Sequence, residues 1–455
     1  MSYTEEFYPA VLFLPIRIGE RVRFVTSLFS SPAVVEVLNL FELGKELCQR
    51  DIVKALSHRS NKTIIDALKK LVSLGLLTES VRKVERGDRR VRVKCYNLTE
   101  IGRWYVALFR DPREFEPPAL HQLLEELFAK FMEKFVELAK RVDISEKEVC
   151  QHILASTLRV YSKRLYKSYD LAVFGSLAYD IYLSPSPKAF SGGSGANVAF
   201  TAAKLRLRTA FVTAIPMDLL GVKLAIELAE SGVDISFSKP VQNLSTTICT
   251  ALHQPAGRHR IECVHDSRSP PVVTELTPEV VRVCSKARAL YLGEGIGRVF
   301  KELLEAVGRD KLVVYRPPTC TFRSGEAFEE FLEVLSYSPL LILNEDKVEV
   351  LREKGLSIPQ DMIKYGVKSL IVTLGPRGAE LYTAPGIQPK RFQAPQVEAV
   401  DTIGAGDVFS ATLIYKLLAG AGLEEAVEFA VKIAALSTKE LGPRKTQVPQ
   451  LVKTL

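Results

Sequence analysis

From Asp170 onward, short runs of β-branched and aliphatic residues alternate with stretches at helical spacing, and few folds accommodate that alternation. Such runs include Asp170-Leu-Ala-Val-Phe-Gly175, Lys311-Leu-Val-Val-Tyr315, Leu340-Leu-Ile-Leu343 and Leu370-Ile-Val-Thr373. Strands this apolar bury both faces, which calls for helices on either side of a mainly parallel sheet. We expect an α/β domain over residues 169–455.

The chain has 455 residues, too many for one ordinary core. Prolines in Asp111-Pro112-Arg-Glu-Phe-Glu-Pro117-Pro118 cannot continue a helix, so a first domain is expected over 1–118. Between the two domains, residues 119–168 read as a helical connector. Leu120, Leu124, Leu127, Phe131, Phe135 and Leu138 recur at three- and four-residue spacing, and Cys150, Ile153, Leu154, Thr157, Leu158, Tyr161 and Leu165 repeat the pattern. Ser145-Glu-Lys-Glu148 fits a capping box between the two helices. The apolar stripe either packs within the chain or self-associates, and we expect a homodimer.

Hydrophobic content of 47% with 25% charged residues describes a soluble globular protein. A formal charge of +8 and a pI near 9.0 permit an anionic partner without identifying one. The seven cysteines are scattered, with no Cys-x-x-Cys pair and no nearby histidine at zinc spacing, so reduced thiols are expected. The apolar run from Val11 to Pro15 is too short to span a membrane or to direct export. No membrane partner and a cytoplasmic location follow as expectations.

In the first domain, Glu46 to Leu56 and Asn61 to Leu74 read as helices around a turn at Ser57-His-Arg-Ser60, the offsets of a helix-turn-helix. Ile52, Val53, Leu56, Ile64, Leu68 and Leu71 would form the shared seam, leaving Arg59, Asn61, Lys62, Asp66, Lys69 and Lys70 outward. Val81 to Cys95 then alternates strand residues around Gly87-Asp88, a basic hairpin. Together with Asn97-Leu-Thr-Glu-Ile-Gly102, the hairpin resembles the wing of winged-helix DNA-binding domains, over roughly residues 32 to 108. Duplex DNA is the implied partner, contacted by Arg59, Asn61, Lys62, Arg82, Lys83, Arg86, Arg89, Arg90 and Arg92. Each neutralised phosphate would release counterions. The alternative is a winged helix used for protein contact.

Val400-Asp-Thr-Ile-Gly-Ala-Gly-Asp-Val-Phe-Ser410 carries the strongest chemical signal. Glycines before a helix start let the backbone approach an anion, and the N–H groups there complement its charge. Asp407, at the same turn, could take a proton from a substrate hydroxyl as a phosphoryl group arrives. On spacing alone the turn could equally be an ordinary helix start.

The longer string Asp401-Thr402-Ile-Gly404-Ala405-Gly406-Asp407, with Phe409, resembles the second signature of the ribokinase-like (PfkB) family of carbohydrate and nucleoside kinases. The resemblance implies a three-layer α/β domain in which Gly404, Ala405 and Gly406 form an anion hole and Asp407 is the base. Gly175-Ser-Leu-Ala-Tyr-Asp180 resembles the family's first strand and hydroxyl-binding acid. Gly192-Gly-Ser-Gly-Ala-Asn197 resembles its first signature, putting Gly192, Gly193 and Asn197 at the acceptor. Asn344-Glu-Asp-Lys347 stands at the Asn-x-x-Glu motif, and Thr373-Leu-Gly375-Pro-Arg-Gly378 matches the Thr-x-Gly-x-x-Gly turn. Since the family binds ATP as a magnesium complex, Asn344, Lys347, Thr373, Gly375, Gly378 and Thr402 are expected at the nucleotide. Asn344 and Glu345 are expected at the Mg2+ water shell, although Glu345 alone also reads as a solvated surface acid.

Three departures from the family stand out. Lys347 replaces the usual glutamate. Val314-Tyr-Arg316-Pro-Pro318 stands where many members have an aspartate and an asparagine. Only eleven residues separate Asp180 from Gly192, which predicts a shortened substrate lid and a more open acceptor site. The reading is an ATP-dependent kinase acting on an alcohol group of a sugar, polyol or nucleoside, coupled to DNA binding. Its rival is a transcription regulator whose kinase-like domain only senses a small molecule.

Overall fold

The computed structural model describes residues 18–29, 31–86, 89–109, 115–141, 144–183, 187–253, 259–264, 272–308, 311–322, 325–337, 339–384 and 388–454. The Val11–Pro15 run, the Gly87-Asp88 turn and residues 111–114 of the proline linker lie outside these. Of Arg86, Arg89 and Arg90 the backbone alone is described. Contacts divide the chain into two units, Met1–Glu146 and Lys147–Leu455, so the division falls inside the helical connector.

Unit 1 runs α1 (Ile18–Phe29), α2 (Pro32–Asn39), β1 (Leu47–Cys48), α3 (Gln49–Ala55), α4 (Asn61–Ser73), β2 (Leu77–Arg86), β3 (Arg89–Leu98), α5 (Glu100–Phe109) and α6 (Pro117–Arg141). Its strands pair antiparallel in the order β1-β3-β2. Ser60 starts α4 by accepting the Thr63 backbone N–H at 3.1 Å. Ile52, Leu56, Ile64, Leu68 and Leu71 are buried in one core with Val53 packed at its margin, so the expected seam forms. Arg59 does not stand free as expected. Its guanidinium forks onto the Glu36 carboxylate at 2.7 and 3.1 Å, because the turn between α3 and α4 abuts α2.

The stripe on α6 splits between two faces. Leu123 turns inward, and Arg103–Glu126 and Lys130–Glu100 ion pairs tie the helix to α5. Leu124, Phe128 and Phe131 are exposed, at 51%, 61% and 43%. An α-helix turns about 100° per residue, so neighbours one position apart diverge.

Unit 2 opens with α7 (Glu146–Tyr161), which directly follows Ser145, and whose Leu158 enters the main core while Cys150 and Tyr161 stay exposed. Then come β4 (Leu171–Phe174), β5 (Ala178–Tyr182), β6 (Lys188–Gly192), α8 (Ser194–Lys204), β7 (Thr209–Val212), β8 (Ala214–Pro216), α9 (Leu219–Glu230), β9 (Lys239–Val241), β10 (Thr247–His253) and β11 (His259–Val264). Next are α10 (Pro278–Lys286), β12 (Ala289–Leu292), α11 (Gly297–Val307), β13 (Leu312–Tyr315), α12 (Gly325–Leu335), β14 (Leu340–Asn344), α13 (Glu345–Glu353), α14 (Gln360–Lys364) and β15 (Ser369–Thr373). The chain finishes with β16 (Ala379–Thr383), β17 (Lys390–Phe392), α15 (Ala405–Leu418), α16 (Leu423–Ser437) and α17 (Val448–Thr454).

An eight-stranded sheet runs β17-β16-β15-β14-β13-β12-β4-β7, parallel from β7 to β15 and closed by the antiparallel β16 and β17. Alternate strand residues feed opposite layers. Leu171, Val173, Tyr291 and Ile342 pack with α8, α9, α15 and α16, whereas Ala172, Phe174, Leu292 and Leu343 pack with α10, α11, α12 and α13. This is the three-layer domain that the apolar runs require.

The expected short lid is overturned. A second sheet, in the order β11-β10-β5-β6, has four strands, and two of them come from residues 247–264. Strand β10 adds in parallel to β5, opposing Cys249 to Asp180. Counting residues between Asp180 and Gly192 missed this pairing because it joins segments far apart in sequence.

The expectation of wholly reduced cysteines is corrected too. Cys48–Cys95 joins β1 to β3, and Cys249–Cys263 joins β10 to β11. Sequence separations of 47 and 14 hide both pairs, which become directly opposed neighbours only in the antiparallel ladders. Cys150, Cys284 and Cys320 are free. Among the described residues, no helix is long and apolar enough to cross a membrane.

Candidate active site

Parallel strands deliver their following residues to one edge of the sheet, the usual place for a ligand in an open α/β fold. Gly175 follows β4, Glu294 follows β12 by two residues, Arg316 follows β13, and Asn344 and Thr373 end β14 and β15. Opposite them lies the N-terminus of α15. Gly404 precedes that helix with φ +82°, and a side chain there would collide with the Pro443 carbonyl, so the turn needs glycine.

Asp407 sits in the first turn of α15 and is 6% exposed. Ser194 Oγ donates to its Oδ1 at 2.7 Å, Arg316 Nη1 donates to the same oxygen at 2.7 Å, and Asn197 Nδ2 donates to Oδ2 at 2.9 Å. Arg316 also donates to Ser194 Oγ at 2.9 Å, and its Nη2 lies 2.5 Å from where a Gly406 Cβ would stand. Burial opposes the Arg316 charge, but Tyr291 and Asp407 more than offset it and hold the guanidinium charged. A carboxylate offers about four lone-pair positions, so three donors leave about one.

On the side of the second sheet, Asp180 lies on β5 and packs against Gly192, where any side chain would strike its carboxylate. Burial first, then the charge of Asp407, pushes the Asp180 carboxyl up to about 7, with Arg444 pulling it back. Gly193 caps α8 with φ +97°, Ser194 opens the helix, and Asn197 is buried one turn on. Glu294 accepts the N–H groups of Gly195 at 3.1 Å and Ser176 at 3.3 Å, and burial raises its pKa. Asp401 knots the lid to the turn, taking the Tyr182 hydroxyl at 2.9 Å and the N–H groups of Gly442 and Ile403 at 2.7 and 2.9 Å. The wholly buried Lys445 Nζ donates to the Asp401 and Glu440 carbonyls at 3.0 and 2.6 Å.

At the other end, Asn344 caps α13, accepting the Lys347 backbone N–H at 3.1 Å. Glu345 is exposed and pairs with Arg377. Lys347 is 7% exposed, and burial, then Arg316, pushes its ammonium down to about 7. Thr373 Oγ1 donates to the Leu343 carbonyl at 3.3 Å, Gly375 opens a short turn ending at Gly378, and Thr402 is exposed. Among the described residues, no group of three histidine, cysteine or carboxylate ligands gathers in unit 2. With Asn344 Oδ1 and one Glu345 oxygen engaged and Lys347 in the next turn, these residues do not make a protein cage for a magnesium ion.

The family described as pfkB family carbohydrate kinase matches residues 170–451. The chain belongs to that family. Ribokinase from Schizosaccharomyces pombe is 24% identical to this pfkB kinase over 308 residues, covering 62% of this chain and 96% of the relative. Thermotoga maritima ribokinase superposes with a TM-score of 0.52 at 25% identity, covering 63% of this chain and all of that one. Arabidopsis thaliana ribokinase, solved with ribose and ATP, gives 0.52 and 25% over 63% of this chain and 99% of its own.

In this pfkB kinase the structure brings together Asp407, Gly404, Ala405, Gly406, Asp180, Gly192, Gly193 and Asn197, and adds members that sequence reasoning did not assign. Ser194 lay inside a quoted motif. Arg316 was visible as a departure, a cation directly after a buried strand. Glu294 and Arg444 carried no local signal. The match leaves residues 1–169 outside.

Proposed function

We propose that unit 2 transfers the γ-phosphoryl group of ATP, supplied as its magnesium complex, to an alcohol group of a sugar, polyol or nucleoside. The acceptor hydroxyl would take the one lone-pair position left on Asp407 and pass its proton there as its oxygen attacks phosphorus. The bond to the β-phosphate oxygen breaks and ADP leaves. Gly404, Ala405 and Gly406, at the start of α15, would face the transferring group with backbone N–H groups and the helix dipole. Asp180, Gly192, Gly193 and Asn197 would hold the acceptor; Asn344, Lys347, Thr373, Gly375, Gly378 and Thr402 would line the nucleotide. The observation that carries this reading is Asp407 held by three donors beside that turn. Magnesium would ride on the nucleotide phosphates and its own waters, with Asn344 and Glu345 at most facing that shell.

The test is substrate-dependent ADP release. Asp407→Asn should lower turnover by about 10²–10⁴-fold and leave nucleotide affinity within about tenfold, because the turn survives. Undiminished turnover excludes Asp407 as the base. One observation favours the rival, a sensor without turnover: the Arg316 guanidinium already occupies Asp407 and crowds Gly406. Tight ligand binding with no ADP release would decide for it.

For unit 1 we propose duplex DNA binding. Asn61 and Lys62 are exposed at the start of α4, and Lys83 and Arg92 are exposed on the β2–β3 hairpin, a helix and a basic ribbon of the kind that contact a groove and its phosphates. Arg82, though 65% exposed, pairs with Glu46 at 2.7 Å. The exposed face of α6 supports pairing of two chains.

A further inference from the structure

Two of the buried cations near the site are held by hydrogen-bond partners. Arg316 meets Asp407 and Ser194, and Lys445 meets two carbonyls. Arg444 is nine-tenths buried, and its Nε and Nη2 have no hydrogen-bond partner. Its Nη1 reaches the Glu227 carboxylate only at 4.0 Å, and Glu227 already accepts Ser191 Oγ and Lys223 Nζ. Burial pushes the Arg444 pKa down to about 10, resisted by Glu227 and Asp180.

The location is the acceptor end of the site. Arg444 follows Pro443, whose carbonyl abuts the Gly404 turn, and its guanidinium lies 5.6 Å from the Phe200 ring centre on α8. Ser191 is on β6, one residue from Gly192, and Asp180 is within electrostatic reach. Buried donors are nearly always satisfied, and a guanidinium left without partners is costly. Its planar fork matches a carboxylate or phosphate, which hydroxyl groups alone do not neutralise.

We propose that Arg444 recognises an anionic substituent on the acceptor, so that this kinase acts on a sugar acid or a sugar phosphate in preference to a neutral sugar. The inference rests on the kinase reading for the identity of the acceptor chamber. The anion would take the free Nε and Nη2 donors side by side, while Asp180 accepts from a hydroxyl of the same molecule.

Binding is tested without turnover, by the rise in melting temperature of the full chain with ribose, ribonate, ribose 5-phosphate, fructose, gluconate and fructose 6-phosphate. An acidic compound should bind roughly 10- to 100-fold more tightly than its neutral counterpart, the worth of a charged hydrogen-bonded pair. The acid and phosphate arms say which anion fits. Asp407→Asn should keep the preference, and Arg444→Met should bring the ratio close to one. Equal binding of acidic and neutral compounds by the parent chain overturns the proposal, and needs no variant to fold. So does a preference that survives in Arg444→Met. Acid-selective binding with no ADP release would sink the kinase reading and leave the anion subsite standing.

Discussion

Two side chains in the site change charge near neutrality, with opposite consequences. Asp180, pushed up to about 7 by burial and by Asp407 and Asp401 against the pull of Arg444, is ionised only above that pH. Lys347, pushed down to about 7 by burial and Arg316 against Glu294, Asp407 and Cys320, is charged only below it. If the acceptor needs the carboxylate and the nucleotide needs the ammonium, kcat/KM should rise and fall over a narrow bell centred near pH 7, since this ratio reports the free enzyme. Asp180→Asn should remove the rising limb along with about 10- to 100-fold of acceptor affinity. Lys347→Arg, charged throughout, should remove the falling limb. A flat profile between pH 6 and 8 in the parent chain would show that neither group titrates in the working site.

Helix α6 has two apolar faces, and only one is used within unit 1. Leu123 is buried, whereas Leu124, Phe128 and Phe131 stand exposed at the four- and three-residue steps of a coiled-coil seam. Replacing Leu124 and Phe131 with glutamate should weaken self-association by about 100-fold or more, read by sedimentation, because two charges enter an apolar seam. An unchanged mass in a folded, active double variant would leave α6 out of any dimer. Elements were legible where their causes are local. The α3–α4 seam, the start of α4 after the turn ending at Ser60, and strands β4, β13, β14 and β15 of the main sheet follow from side-chain period and turn residues alone. The lid was misjudged because β10 finds β5 across more than sixty residues, and the two disulfides depend on strand registers that oppose cysteines 47 and 14 residues apart. Asp407 and its glycines were readable as a motif, yet Arg316 and Arg444 acquire meaning only when the ends of separate segments meet.

At the scale of the whole molecule, a net charge of +8 is shared by two units with different proposed ligands. Neutralising Lys62, Lys83 and Arg92 together in the full chain should flatten the dependence of log K for duplex DNA on log salt by up to ~2.7, at ~0.9 per phosphate contact. ADP release should be untouched. An unchanged slope would move the DNA surface elsewhere on the chain. The same molecule is also ordered in time. Its site joins Gly175 to Arg444 and Lys445, and the buried Lys445 ammonium that braces the Asp401 carbonyl comes from 44 residues further along the chain. At a synthesis rate of ~5–20 residues per second, unit 1 leaves the ribosome roughly 15 to 60 s before that brace exists. The Gly404–Gly406 turn is itself made only about 2 to 8 s before its brace, so for most of that interval a nascent chain carries unit 1 and an unfinished kinase.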